Sequence, residues 1–227
     1  MKKYVILLIL SGVLIVGCKN GCNKNGNNQP VEDSTNVSLG ELADSLNAVT
    51  RADSIRISAS KDSVLAGLTK EVLTIFKQKN YAKLDSFIHP EEGVRFSPYA
   101  TIQPEDKKFS REAYRKLVTA NKGKVVTWGS YDGSGDPIQL TPSEYFKKFV
   151  YDANFVNPEK FDINEFIKTG NSINNLKSAY GNGDFTESYF SGSKKNGGMD
   201  WKSVRLVFKE VNGTYYLVGI VHDQWTI

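Results

Sequence analysis

Asn212-Gly213, set between two long runs of branched and aromatic residues, constrains the fold of this chain more than any other feature. Asn-Gly suits the two-residue type I′ turn, in which both central residues take positive φ. Trp201 to Glu210 and Tyr215 to Ile227 therefore read as the arms of a long antiparallel hairpin. Counting outward from the turn sets Val211 against Thr214, Phe208 against Leu217, Arg205 against Ile220, Ser203 against His222 and Lys202 against Asp223. Side chains alternate along a strand. One face is thus expected to carry Val204, Leu206, Phe208, Leu217 and Val221, and the other Ser203, Arg205, Val207, Val218, Ile220, His222 and Gln224. Both are apolar through the middle, which predicts cover on both sides. Arg205 and His222 fall on one face in this register. A buried Arg requires a carboxylate, because an unpaired charge in a core is very costly, and Asp132, Glu144 and Asp152 are the candidates.

The segments before the hairpin supply its cover. Val64, Leu65, Leu68, Val72, Ile75 and Phe76 follow helical spacing, with Asp62 or Ser63 as the cap. Leu84, Phe87 and Ile88 predict a short second helix ending at His89-Pro90, where the His89 ring would meet the last carbonyls. Gly93 to Ser97 reads as a strand. Ser110 is placed to cap a helix reaching Gly123, and Lys124 to Ser130 reads as another strand. Thr141-Pro142-Ser143-Glu144 spells a capping box with Pro at the first helical position, opening a helix that buries Tyr145, Phe146, Phe149 and Val150. A short helix from Ile173 to Tyr180 and a strand from Asp184 to Phe190 precede the hairpin. Helices first and strands last give an α+β fold class, with N-terminal helices packed on a curved antiparallel sheet.

Every Phe, Tyr and Trp except Tyr4 lies after Ser60, so residues 61–227 are expected to form a single domain. Residues 1–17 read as a signal peptide, with Lys2 and Lys3 before an apolar stretch too short for a comfortable span of about 20 residues. The ending Leu14-Ile15-Val16-Gly17-Cys18 resembles the bacterial lipobox, which implies lipid on Cys18 and a chain anchored to a membrane outside the cytoplasm. Residues 18–60 are polar and poor in apolar matter, a tether with a helical pattern at Leu42, Leu46 and Val49. Cleavage would remove Lys2 and Lys3 from the net charge of +4, leaving +2. That is too near neutral for the basic stripe of a nucleic-acid binder. With Cys18 acylated, Cys22 has no intramolecular partner, so the domain must stand on its core.

Three stretches carry a resemblance: His89-Pro90-Glu91-Glu92-Gly93-Val94-Arg95-Phe96-Ser97-Pro98-Tyr99, Trp128-Gly129-Ser130-Tyr131-Asp132-Gly133-Ser134-Gly135 and His222-Asp223-Gln224-Trp225-Thr226-Ile227. They resemble a group of uncharacterised secreted or lipid-anchored bacterial proteins, which brings no activity with it. The order of elements also resembles the cone-shaped fold of nuclear transport factor 2 and its relatives, with a cystatin-like roll as the competing architecture. That superfamily holds both enzymes and non-catalytic pocket proteins, and none of its catalytic constellations matches specific positions in this chain.

The candidate site residues divide by chemistry. His222, Arg205, Asp132 and Glu144 are the acid–base candidates, although His222 also reads as a hydrogen-bonded ring near a sheet edge. Trp128, Tyr145, Tyr151, Tyr189 and Trp225, with Phe149, could line an aromatic ligand pocket or simply fill the core. Asp132 to Pro137 resembles part of a calcium loop but lacks its spacing and its Glu at the twelfth position. Neither a metal nor a cofactor is implied, since only two histidines exist and they lie far apart. Three readings stay open: a ligand- or partner-binding envelope domain, a cone-fold pocket enzyme, and a structural or assembly lipoprotein.

Overall fold

The computed structural model describes residues 60–226, all within one compact unit. The signal peptide, Cys18, Cys22, the tether and the Leu42-Leu46-Val49 pattern lie outside the described residues. No helix among the described residues is long and apolar enough to cross a membrane.

The helix over residues 60–77 (α1) buries Leu65, Val72, Leu73, Ile75 and Phe76. It is already under way at Ser60, so Asp62 and Ser63 lie inside it and do not cap it. A 3-10 helix, Tyr81–Phe87, follows. His89 then departs from expectation. Its Nδ1 accepts the backbone N–H groups of Glu91 (3.2 Å) and Glu92 (3.0 Å), so it shapes the next turn and does not meet the preceding carbonyls.

Strand β1 is Val94–Ser97, β2 is Lys107–Phe109 and helix α2 is Arg111–Val118, capped by Ser110 as expected but ending before Gly123. Strands β3, Val126–Ser130, and β4, Pro137–Leu140, form a separate two-stranded sheet. Helix α3, Pro142–Phe149, opens with the complete Thr141–Glu144 capping box. After β5, Lys160–Ile163, helix α4 covers Leu176–Tyr180 and strand β6 covers Asp184–Phe190. The hairpin is β7, Lys202–Val211, and β8, Thr214–Gln224, with Asn212 and Gly213 at φ 51° and 79° as the turn requires.

The main sheet has the order β2-β1-β8-β7-β6-β5, giving an α+β fold with helices on a curved sheet and a long closing hairpin. The sheet is mixed and not wholly antiparallel. The outer edge of β8 is filled by β1, which runs in the same direction.

The predicted register holds from the turn to Phe208–Leu217 and then slips. Val207 pairs with Gly219, leaving Val218 as an extra residue on β8. Beyond this β-bulge, Arg205 pairs with Val221, Val204 with His222 and Ser203 with Asp223. A bulge puts two residues of one strand against one of the other, so alternation resumes one step out of phase. Arg205 and His222 therefore occupy opposite faces, and the expected same-face pair does not exist. Gly219 marks the slip, because a Cβ there would collide with the Tyr180 hydroxyl.

Each face is covered. The inner one, with Val204, Leu206, Phe208, Leu217 and Ile220, packs against α1, α2 and α3. Phe96 stands at the centre, with Tyr114, Phe146, Trp128 and Tyr145 within 6.2 Å between ring centroids. On the outer side, Val207, Val218, Val221 and Phe185 lie beneath Phe166, Leu176 and Tyr180.

Candidate functional site

The expected aromatic pocket is closed. Trp128 and Tyr145 stack at 4.0 Å between centroids, and both are 0% exposed. Trp128 Nε1 donates to the Leu140 carbonyl at 2.9 Å, tying β3 to β4. Phe149 completes this cluster beside Tyr145. Tyr151 is half-buried and donates to Asn154, Tyr189 stands on the outer face near Trp201, and Trp225 is 38% exposed at the end of the chain. These residues are dispersed over the molecule and do not converge on one cavity.

The acid–base candidates are likewise separated. Glu144 accepts from the Thr141 N–H (2.8 Å) and hydroxyl (2.6 Å), which holds its carboxyl below the usual range and commits it to capping α3. Arg205, with 0% exposure, lies on the outer face between Glu187 (2.9 Å) and Asp223 (3.0 Å). Its partners are thus neither Asp132, Glu144 nor Asp152. Glu187 also accepts from the Ser203 hydroxyl (2.5 Å) and the Ile167 N–H (2.9 Å), and Arg205 donates to the Lys168 carbonyl (2.8 Å). Burial pushes the Asp223 carboxyl up against the pull of Arg205. Two carboxylates share one guanidinium here, and the cluster is sealed from solvent.

His222 faces the opposite way. Its Nδ1 lies 3.3 Å from the Pro98 carbonyl and its Nε2 lies 3.3 Å from Asp152, beneath the edge of Phe149. Asp152 in turn pairs with Lys202 at 2.6 Å. Burial alone would raise the Asp152 carboxyl, but His222 and Lys202 outweigh it and hold the group below its ordinary value. The ring itself is 0% exposed. This is a histidine with an orienting carboxylate and no path for a reactant to its nitrogen atoms.

A polar cavity of about 140 Å³ lies elsewhere, between the β1–β2 connection and the loop that follows β3. Pro98, Tyr99, Gln103 and Asp106 line it from the β1–β2 connection, Tyr131 and Asp132 from the loop after β3, and Ser172 from the segment before α4. The loop is tight: the Tyr131 N–H donates to the Asp136 carbonyl (2.8 Å) and the Gly135 N–H to the Tyr131 carbonyl (2.9 Å). Asp132 is exposed at the rim, and the Ser172 hydroxyl reaches it at 3.4 Å. Asp106 is 5% exposed and accepts the Gln103 N–H at 3.0 Å through Oδ2. Burial pushes its carboxyl up to about 6. The Ser97 hydroxyl lies near enough to temper this without reaching hydrogen-bond geometry. Buried hydroxyls of Ser97, Tyr145 and Tyr180 find no partner among the described residues, and both tyrosines feel the Asp106 charge.

Sequence reasoning missed Asp106 and Glu187. Glu187 left a signal, a lone carboxylate in the middle of the strand run Asp184 to Phe190. Asp106 left none, since it sits in a polar stretch where burial has no mark. Among the described residues no group of three or more His, Cys, Asp or Glu is arranged to hold a metal ion. No protein-family model matches the chain, and no curated protein or solved structure matches it either.

Proposed function

We propose that this chain is a bacterial envelope lipoprotein, lipidated on Cys18, whose domain binds a small molecule or an envelope partner without catalysis. The observation that carries the non-catalytic part is the burial of His222 between Asp152, the Pro98 carbonyl and Phe149. General acid–base catalysis needs the transferring group within hydrogen-bond reach of the reactant, and here that reach is taken up by the protein. The His222–Asp152 pair would be the acid–base element of a pocket enzyme, so its enclosure weighs against that reading. The cone-fold reading rests on the order of a long helix, a short helix before His89-Pro90, a strand, further helices and a closing hairpin. Aromatic side chains fill the helix-covered inner face, where a pocket enzyme would keep a cavity open.

The anchoring part is tested by making the full chain in a bacterial host and measuring intact mass and detergent-phase partition. Wild type is expected to carry acyl mass and enter the detergent phase, and Cys18→Ser to stay in the aqueous phase. Wild-type chain found unacylated and wholly aqueous would overturn the envelope reading. An His222→Gln variant that keeps its fold and binding while abolishing a measurable turnover would overturn the non-catalytic one.

A further inference from the structure

The polar cavity beside Asp106 has a composition that selects its occupant. Its carboxylates, Asp106, Asp132 and the neighbouring Glu105, can only accept hydrogen bonds when ionised, and no Lys, Arg or His lines it. Arg95 reaches only the Gln103 carbonyl, from behind the lining, so the groups facing the cavity favour a ligand that brings donors. The carboxylates are not grouped to chelate a metal ion. Its ≈140 Å³ is well below the ~300–1,000 Å³ of drug-sized pockets and equals the bulk volume of about five waters at ~30 Å³ each. One small ring fits this scale.

The walls add a second requirement. Tyr99 and Tyr131, both half-buried and both packed against Phe149, bring aromatic surface to the cavity. Tyr131 is pinned by Lys148, whose Nζ donates to its hydroxyl at 3.1 Å. Asp106 is the independent mark of a built site. Almost wholly buried, it uses one oxygen on the Gln103 N–H, and no described donor reaches Oδ1 within hydrogen-bond geometry. Oδ1 is not sealed off as the Ser97 and Tyr145 hydroxyls are, and a ligand hydroxyl in the cavity would donate to it. A molecule with several adjacent hydroxyls and an apolar ring face meets both demands.

We propose that this cavity binds a single saccharide ring, with its hydroxyl groups donating to Asp106 and Asp132 and its apolar face against Tyr99 or Tyr131. The proposal rests on the binding reading above and names its ligand class. Neutral and amino sugars share the required chemistry, and the experiment separates them.

The test is titration of the ¹⁵N-labelled full chain with glucose, glucosamine and ethanolamine, following the amide signals of Gly129, Gly133 and Gly135. One or both sugars are expected to shift these signals saturably, glucosamine more if the rim carboxylates dominate. Asp132→Asn and Ser172→Ala, both at the rim, are expected to weaken binding about tenfold and about threefold without unfolding the chain. Asp106→Asn is expected to abolish binding, with its fold checked by the dispersion of the remaining signals. Ethanolamine shifting the same signals as strongly as the sugars would show an ammonium site and overturn the proposal. Absence of saturable shifts with both sugars would also overturn it. A chain that still enters the detergent phase but binds no sugar loses this site alone, whereas an unacylated chain that binds sugar loses the envelope reading alone.

Discussion

The two faces of the β7–β8 hairpin are built from the same backbone and are stabilised by different physics. On the inner side, close packing dominates, with Phe96 among Tyr114, Trp128, Tyr145 and Phe146. On the outer side, a buried cation holds two carboxylates under the segment that carries Phe166, Ile167 and Lys168. Packing is tolerant of volume-conserving exchange. A buried ion cluster is not tolerant of losing one member, because the survivors keep their charge and lose their compensation. The comparison therefore predicts that the outer face is brittle and the inner face forgiving.

The largest effect is expected at the outer face. Arg205→Met leaves Glu187 and Asp223 buried and facing each other, and should cost about 3–5 kcal/mol in urea unfolding. Replacing all three with apolar residues of similar volume should recover most of that loss. Recovery of nothing would mean that the cluster has a role beyond its own neutrality. Asp106, beside the polar cavity, comes next. Its folded value of about 6 exceeds its ordinary 3.8, so between those values the folded chain binds more protons than the unfolded chain. Stability should accordingly fall as pH rises from about 4 to about 6 and stay lower above it. Asp106→Asn should flatten that slope and stabilise the chain at pH 7 by roughly 1–3 kcal/mol.

A smaller effect is expected inside the aromatic cluster. Phe96→Leu keeps an apolar side chain and should cost about 1–2 kcal/mol, below the ~3–5 of a Phe→Ala change. A loss as large as that of Arg205→Met would erase the contrast between the faces. The smallest concerns the helix that delivers Tyr145, Phe146 and Phe149. Thr141→Ala removes the cap and should cost about 1 kcal/mol, read as a small fall in the urea midpoint with an unchanged slope.

Local chemistry made much of this fold legible. Asn212-Gly213 specified the turn, Thr141 to Glu144 specified the start of α3, and Ser110 specified that of α2, because each signal acts within a few residues. The bulge was illegible for a physical reason. From Leu217 to Val221 nearly every residue is apolar, so both phases of alternation look equally good and a one-residue slip leaves no trace. Only Gly219 hints at it, and its meaning depends on Tyr180, 39 residues earlier in the chain. The short strands β2, β4 and β5 escaped notice because pairing across the sheet, and not their own composition, makes them strands. The site was less legible still. Asp106 and Ser172 are brought to one cavity by loops whose sequences record no such meeting.

Val218 acts on the hairpin as an inserted letter acts on a reading frame. Every position downstream of it on β8 is displayed in the opposite phase, which is what sends Asp223 to the guanidinium and His222 to the aromatic interior. Excising that one residue would be expected to exchange the addresses of both and leave each among strangers.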